Sequence, residues 1–249
     1  MIAPVASATI TPYSKYNKNI YSEDSSTTGE LTDGNLFAPS QYNGIDLIEN
    51  TPRVGYGLKG STYYKTPQHY FNSSALFGQM YRQKPQNYLS GSEEEKFSDY
   101  IGRLKFDFND RVILSYQYKV DRKSLINKTN ELSTLLKYKK AYILTDLLYY
   151  RDNQIVDNVK NRREIYVETG INNYKGIIFS IYGRKSLSSR KDNPTLYVDP
   201  SGFIKIGTKL KYLNDCIEYT TGINKDFTRR NDSKPNTTWW FNIALKNLS

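Results

Sequence analysis

The sequence is poor in the residues that enzymes and metal sites most often need. Its 249 residues include one cysteine, Cys216, and one histidine, His69. A single cysteine and a single histidine cannot supply a Cys/His metal set, and a lone histidine beside a tyrosine is more often a turn residue than a catalytic base. The sequence therefore predicts that the protein is not an enzyme, and it predicts no metal site and no cofactor.

The chain also lacks long hydrophobic stretches. No stretch approaches the ~18 to 20 uninterrupted apolar residues of a membrane-spanning helix, hydrophobic residues make up 38% of the chain, and the mean hydropathy is -0.68. These values exclude a membrane protein of the helical kind. They are compatible with a transmembrane β-barrel, because half of each barrel strand faces a polar interior and the loops are hydrophilic.

Positive charge and tyrosine are in excess. The formal net charge is +10, and there are 23 tyrosines beside 2 tryptophans. A basic chain can bind nucleic acid or lipid phosphate, but the lysines and arginines are scattered along the sequence, which argues against nucleic acid. Tyrosine suits the aromatic girdles of a barrel and also ordinary strands in any setting, so the tyrosine content leaves both interpretations open.

From about residue 99 onward, short segments alternate apolar and polar residues. Tyr100, Leu104 and Phe106, for example, alternate with Arg103 and Lys105. A period of two indicates a β-strand with one wet and one dry face. The whole chain predicts about twelve strands, near the length of tilted membrane strands, at residues 2–10, 53–64, 75–83, 100–109, 112–120, within 124–137, 141–150, 163–172, 176–185, 202–212, 216–226 and 237–248.

The gaps between these segments alternate between short and long. Asn109–Asp110 and Asn214–Asp215 are short turn signals, whereas residues 11–50 form a long polar stretch. Outer-membrane barrels put short turns in the periplasm and long loops outside, so 11–50 is predicted to be a large extracellular loop. The link after Val120 is uncertain, because residues 121–130 are polar enough for either loop or strand. The predicted fold is a single segment, 1–249, of all-β, antiparallel, up-and-down transmembrane barrel wall.

Lysine at every second position of one segment indicates which face is wet. Lys205, Lys209 and Lys211 alternate with Ile204 and Ile206. Against lipid each lysine would cost ~2 to 4 kcal/mol at mid-bilayer, so we expect these lysines to line the lumen. The basic set expected there is Arg103, Lys105, Lys205, Lys209 and Lys211. Together these residues could attract the phosphates of an anionic glycolipid; ordinary solvation of the lumen is the alternative for any single one.

A series of motifs follows one another in a familiar order and spacing. They are Asp33–Phe37, Tyr42–Asp46, Arg53–Leu58, Phe77–Gln79, Glu95–Arg103 and Phe227–Arg229. This ordered set resembles the C-terminal barrel portion of the LptD family of outer-membrane LPS-assembly proteins, especially its alphaproteobacterial type. The resemblance implies a barrel in the outer membrane of a Gram-negative bacterium that inserts lipopolysaccharide in the outer leaflet. It also implies an LptE-like lipoprotein plug and a periplasmic bridge as partners.

The resemblance further implies roles for individual residues. The last strand would form one lip of a lateral gate, with Trp239, Phe241, Ile243 and Leu245. The loop from Glu23 to Asp46 would help to cap the lumen, with Asp33, Asn35, Leu36, Phe37, Gly44 and Asp46. Cys216 would form an inter-domain disulfide with a cysteine outside this sequence, or else remain a lone thiol at a strand end.

Compared with the family, the sequence lacks a signal peptide, the periplasmic domain that delivers the lipid, and the earlier strands of the barrel. We therefore expect it to be the C-terminal half of a larger barrel, as a fragment or with a partner for the missing half, because a bilayer does not tolerate unpaired strand edges. Two alternatives share the strand pattern: a passive porin or adhesin-type barrel, and a soluble all-β binding module. Ion conductance without a lipid-transport defect would favour the first, and purification without detergent the second.

Overall fold

A computed structural model of the chain describes residues 1–10, 31–39, 51–83, 96–151, 161–172, 176–188, 202–227 and 235–245. No helix among these residues is long and apolar enough to cross a membrane. The described residues form twelve strands: β1 (Ile2–Thr9), β2 (Arg53–Lys65), β3 (Tyr70–Arg82), β4 (Tyr100–Phe108), β5 (Val112–Val120), β6 (Asn127–Tyr138), β7 (Ala141–Arg151), β8 (Asn161–Asn172), β9 (Ile177–Ser186), β10 (Phe203–Leu213), β11 (Ile217–Asp226) and β12 (Asn236–Leu245).

The strands form one sheet in which each strand is hydrogen-bonded to its neighbours in the chain, from β1 to β12. Strand β8, for example, makes continuous antiparallel ladders with β7 on one side and β9 on the other. Strands β1 and β12 are the two ends of this order. An up-and-down antiparallel sheet is the arrangement of a barrel wall, and the all-β fold predicted from the two-residue period is confirmed.

The connections between strands alternate in length, as the sequence predicts. Successive connections lie at opposite ends of an up-and-down sheet, so the short ones share one end, the short-turn end, and the longer ones share the other, the long-loop end. The first set is 66–69, 109–111, 139–140, 173–176 and 214–216; the second is 10–52, 83–99, 121–126, 152–160, 187–202 and 227–235. The uncertain link is a turn of residues 121–126, and β6 begins at Asn127.

Strand β3 begins earlier than predicted, and the expected start at residue 75 is wrong. Residues Asn72, Ser73 and Ser74 pair in register with β2 although their side chains are polar. The ladder uses backbone groups, so polar side chains do not interrupt it. The turn is confined to Thr66–His69, where the Thr66 amide donates to the His69 carbonyl at 2.6 Å. The predicted end of the last strand, at 248, lies outside the described residues.

The chain divides into two compact units, of which unit 1 contains Met1–Phe106 and Tyr116–Thr129. In unit 1, segment 31–39 packs on one face of β2, β3 and β4. Leu36 is fully buried there, in a cluster with Leu31, Met80 and Ile101. A Cβ atom at Gly78 would lie 2.7 Å from Leu36 Cδ2, so the glycine provides the space that the leucine fills.

The opposite face of β2 and β3 in unit 1 is apolar and exposed. Tyr56, Leu58 and Phe77 are all at least two-fifths exposed, and the Phe77 ring stacks on Tyr100 with 5.7 Å between centroids. A water-soluble protein would bury side chains of this kind. A contiguous exposed apolar face indicates contact with a partner or with lipid.

The β5–β6 turn of unit 1 is held by the carboxylate of Asp121. Its Oδ2 accepts hydrogen bonds from the Lys123 and Ser124 amides and from the Ser124 hydroxyl. Its Oδ1 lies 2.8 Å from Lys128 Nζ, which also contacts Asp99 Oδ2 at 2.9 Å. The Lys128 ammonium first, and the Ser124 amide second, hold the pKa of Asp121 well below its ordinary value.

This turn predicts a specific loss of stability in acid. A carboxylate with a lowered pKa in the folded state stabilises that state fully above its ordinary pKa of 3.8, and the contribution is lost as the pH falls through the folded-state value. The detergent-solubilised protein should lose thermal stability below pH 3.8, and Asp121→Asn should lose less over the same range. An identical pH dependence of the unfolding temperature in the two proteins would contradict this account.

Unit 2 contains Asp107–Ser115 and Asn130–Ser249. Its sheet has a polar face and an apolar face. Residues of the apolar face are exposed and charged residues of the polar face are buried, which is the reverse of a soluble protein. On β8 the polar-face residues Glu164 and Glu168 are buried, whereas Val167 and Ile171 on the apolar face are exposed. On β10 the lysines alternate with exposed apolar residues, as predicted. Across the described residues, ten polar or charged side chains are buried and four hydrophobic ones are.

Three aromatic side chains on the polar face of unit 2 lie over glycines of the neighbouring strand. Tyr142 covers Gly170, Tyr182 covers Gly207, and Trp240 covers Gly222; each pair is directly opposite in register. A Cβ atom at Gly207 would lie 2.6 Å from the Tyr182 ring. Glycine in a strand costs backbone entropy, and here it allows an aromatic ring to lie flat across the ladder.

The Tyr142–Gly170 pair can be tested with two glycine substitutions. At Gly170 the three nearest atoms to an added methyl all belong to the Tyr142 side chain, at 2.4 to 2.7 Å, whereas at Gly183 the nearest atom is 3.9 Å away. Gly170→Ala should therefore destabilise the protein by about 1–3 kcal/mol through overpacking, and Gly183→Ala should be neutral or slightly stabilising. Thermal unfolding in detergent measures both, and equal effects would refute the packing role.

Candidate functional site

On the polar face of unit 2, a group of polar contacts centres on the buried carboxylate of Glu168. Glu168 Oε1 accepts a hydrogen bond from the Tyr142 hydroxyl at 2.5 Å. Oε2 accepts one from the Tyr166 hydroxyl at 2.6 Å and one from Lys209 Nζ at 2.7 Å. Donors from β7, β8 and β10 thus converge on one carboxylate, which a buried charge requires.

Strand β9 lies between β8 and β10, and its small residue Ser180 makes the Glu168–Lys209 ion pair possible. Ser180 of β9 is directly opposite Lys209 on β10 and is buried. Because serine is short, the lysine side chain passes over it and reaches Glu168 on the far side. Lys209 Nζ also lies 6.0 Å from the centroid of the Tyr182 ring, within the range of a cation–π contact.

The Glu168–Lys209 pair is electrically balanced and largely removed from water. The exposed fraction of the side chain is 5% for Glu168 and 28% for Lys209. A lysine that donates to a buried carboxylate has little charge left for another anion. In the structure the charge of Lys209 stabilises Glu168, and the place of Lys209 in the lumen stays a prediction.

The other basic residues predicted from the sequence fall into two groups. Lys211 pairs with Glu218 at 2.5 Å, and in unit 1 Arg103 pairs with Asp33 at 2.9 Å. Lys105 is exposed and Lys205 is half-buried. Three of the five predicted cations thus have a carboxylate partner, so their positive field is weaker than the sequence alone suggests.

A second buried carboxylate, Glu164, lies four residues before Glu168 on the same face of β8. Arg162 Nε donates to Glu164 Oε1 at 2.5 Å, and Arg184 Nε lies 3.7 Å from Glu164 Oε2. The two glutamates and the two arginines are not among the site residues predicted from the sequence. The available signal was the spacing of Arg162, Glu164, Tyr166 and Glu168, which puts all four on one face of a strand.

The predicted capping residues are partly within the described chain. Leu36 and Phe37 pack on the face of unit 1 that segment 31–39 covers. Asn35 Oδ1 accepts a hydrogen bond from the Thr32 amide at 2.7 Å and so closes the turn. Asp33 contacts Arg103, as described above. Gly44 and Asp46 lie outside the described residues.

The predicted gate residues share one face of β12. Trp239, Phe241, Ile243 and Leu245 are each more than half exposed. The indole Nε1 of Trp239 donates to Thr221 Oγ1 on β11 at 3.1 Å. Strand β12 is one end of the strand order, and β11 is its hydrogen-bonded neighbour.

Cys216 is exposed in the turn between β10 and β11, at the short-turn end. Its backbone amide donates to Asn214 Oδ1 at 2.6 Å. The inter-domain disulfide of this cysteine stays a prediction. In the described residues, no group of three or more histidine, cysteine, aspartate or glutamate side chains is placed to hold a metal ion.

The up-and-down sheet, with an exposed apolar face and charged side chains buried on the other, defines an all-β protein of the outer-membrane class. Residues 1–176 match the family model of LptD, described as LPS transport system D. The match covers well over half of the chain, and the chain belongs to the LptD family, whose role is lipopolysaccharide transport and assembly at the outer membrane. No curated protein matches the chain. The resemblance to the LptD family is confirmed; its alphaproteobacterial type stays a prediction.

Removal of Lys209 should destabilise the fold strongly. Lys209→Met leaves the Glu168 carboxylate buried without its cation, which we expect to cost about 2–4 kcal/mol. Lys211→Met is the matched control, because both partners of the Lys211–Glu218 pair are about one-third exposed and such pairs contribute roughly 0–1 kcal/mol.

Thermal unfolding of the detergent-solubilised variants measures the difference. The double variant Glu168→Gln with Lys209→Met should recover much of the loss, because it removes both charges together. Equal destabilisation by Lys209→Met and Lys211→Met would show that the buried pair has no special role.

Proposed function

We propose that this chain forms part of the barrel that inserts lipopolysaccharide in the outer leaflet of a Gram-negative outer membrane. The observation that carries the proposal is the reversed exposure of the sheet in unit 2. Apolar residues such as Val167 and Phe241 are exposed, and charged residues such as Glu168 are buried on the other face. Membership of the LptD family supports the same conclusion.

In this proposal the apolar faces contact lipid and the polar face of unit 2 lines the lumen. A lysine against lipid costs ~2 to 4 kcal/mol at mid-bilayer, and β10 carries Lys205, Lys209 and Lys211 on one face. Placing that face toward water removes this cost. Within the described residues, neither Lys105 nor Lys205 has a carboxylate at salt-bridge distance. In this proposal both lysines attract the phosphates of the lipid.

The long-loop end is proposed to be extracellular, as in other outer-membrane barrels. Segment 31–39 belongs to the longest connection and packs on unit 1 through Leu36 and the Asp33–Arg103 ion pair. It would help to cap the lumen, together with Gly44 and Asp46 of the same connection. Cys216, at the short-turn end, would then face the periplasm.

Strand β12 is proposed as one lip of the lateral gate through which the lipid leaves. Its exposed residues Trp239, Phe241, Ile243 and Leu245 suit contact with acyl chains. An end strand has one row of backbone groups that the neighbouring β11 does not satisfy, so it can pair reversibly with another strand. An LptE-like plug and a periplasmic bridge that delivers the lipid are the proposed partners.

The experiment depletes the protein from cells and restores it with variants of β12. Wild type should restore lipopolysaccharide at the cell surface. Phe241→Lys should reduce the amount of assembled protein and of surface lipopolysaccharide, since it puts a charge on the proposed lipid face at a cost of ~2 to 4 kcal/mol. Surface labelling of lipopolysaccharide and the heat-modifiable mobility of the assembled protein measure the two effects.

Asn242→Lys is the matched control, because residue 242 is the sequence neighbour of 241 and lies on the opposite face of β12. It should assemble and function like wild type. Normal surface lipopolysaccharide after depletion, together with a loss of ion conductance, would overturn the proposal and favour a passive porin. Equal effects of the two lysines would contradict the assigned faces.

A further inference from the structure

We propose that Arg162, Glu164, Arg184 and Lys205 form a binding site for a phosphate group of an anionic glycolipid. The four residues lie on the polar face of unit 2, near the long-loop ends of β8, β9 and β10. The inference rests on the proposed function, in which this face lines the path of the lipid, and it assigns the recognition of phosphate to particular side chains.

The site is organised by the buried carboxylate of Glu164. The exposed fraction of the side chain is 2% for Glu164, 42% for Arg162 and 48% for Arg184. The shortest contact of each arginine with the glutamate runs through Nε, at 2.5 Å for Arg162 and 3.7 Å for Arg184. Glu164 thus lies beneath two guanidinium groups that remain nearly half exposed, and it limits how far they can move apart.

One carboxylate cannot satisfy two guanidinium groups. Each arginine has five N–H donors, so the pair offers more donors than the two oxygens of Glu164 can accept. Glu164 Oε2 itself accepts no hydrogen bond among the described residues, so Arg184 contacts it as an ion pair only. The donors left over suit an anion with several acceptor oxygens.

Lys205 adds a third cation directly opposite Arg184 in the β9–β10 ladder. Like charges that face each other across a ladder destabilise a sheet. Asp226 of β11 is opposite Lys205 on its other side, so the group contains three cations and two carboxylates. Among the described residues of this group the formal surplus is one positive charge, and an anion bound between Arg184 and Lys205 would relieve their repulsion.

The contrast with Glu168 shows why the ligand belongs at Glu164. Glu168 and Lys209 balance in charge, and two tyrosine hydroxyls complete the group. The Glu164 group has excess charge, excess donors and exposed guanidinium groups. Arginine binds phosphate with two parallel hydrogen bonds, and the source of that phosphate is either a lipid headgroup or free inorganic phosphate.

The test compares two lipids that differ only in phosphate. The full-length protein in detergent is titrated with bisphosphorylated lipid A and with dephosphorylated lipid A. Arg162→Gln with Arg184→Gln should weaken binding of the bisphosphorylated form by about tenfold, as expected for the loss of charge-assisted hydrogen bonds. Binding of the dephosphorylated form should not change. Equal binding of the bisphosphorylated form by wild type and variant would overturn the site.

Arg163→Gln with Lys185→Gln is the matched control. Arg163 and Lys185 are the sequence neighbours of Arg162 and Arg184 on the same two strands, so they carry the same charge on the opposite face. This control should bind both lipids like wild type. An equal loss of affinity in both double variants would show a general charge effect and overturn the site.

Inorganic phosphate separates the two sources. Competition by millimolar phosphate in wild type and not in the Arg162→Gln, Arg184→Gln variant would assign the site to phosphate in general. No competition, together with the tenfold lipid effect, would assign it to the headgroup. If wild type binds neither form of lipid A, the proposed function fails; if wild type binds and the variants do not differ, only this site fails.

Discussion

The structure of unit 2 depends on how the charged side chains on its polar face are neutralised. Alternate side chains form the apolar surface, so a carboxylate buried on the other face needs donors from its own strand or from nearby strands. Glu168 meets this constraint with three donors from three strands. Gly170 and Ser180 serve the same group, because Gly170 leaves space for the Tyr142 ring and Ser180 leaves space for the Lys209 side chain.

The same constraint separates structural charge from charge available for ligands. Lys209 and Lys211 have carboxylate partners, and their side chains hold strands together. The Glu164 group has more cations than carboxylates. A count of cations on one face therefore overestimates the attraction for an anionic lipid unless the cations in ion pairs are left out. The positive charge that remains lies near the long-loop end of the strands.

Much of the fold could be predicted from the sequence, because a period of two is a local property. The twelve strands, the short turns such as Asn109–Asp110, and the alternation along β10 all depend on neighbouring residues. The start of β3 was missed because polar Asn72–Ser74 resembles a turn, while its backbone pairs with β2. The partners of Lys209 could not be predicted: Glu168 is 41 residues away in the chain, and their contact depends on the register of the intervening strand.

Segment 31–39 shows the same limit. The resemblance to a known family drew attention to Asp33–Phe37, but not to the space that Leu36 fills. That space exists because Gly78 of β3 and Gly55 of β2 lack side chains, and both are distant from Leu36 in the sequence. The motif in the sequence thus indicated which segment makes a contact. The pairing of β2 with β3 determines which residues that segment contacts.

The pairing of large rings with missing side chains also sets the alignment of the strands. If β9 shifted by two residues relative to β10, every side chain would stay on its polar or apolar face. The burial of apolar surface would therefore not distinguish the two alignments. Tyr182 would nevertheless leave Gly207, and Lys209 would meet a larger residue than Ser180. Alignments that differ by two residues keep the same polar and apolar faces, but only one of them fits sterically. Steric fit therefore determines the strand register while the sheet assembles.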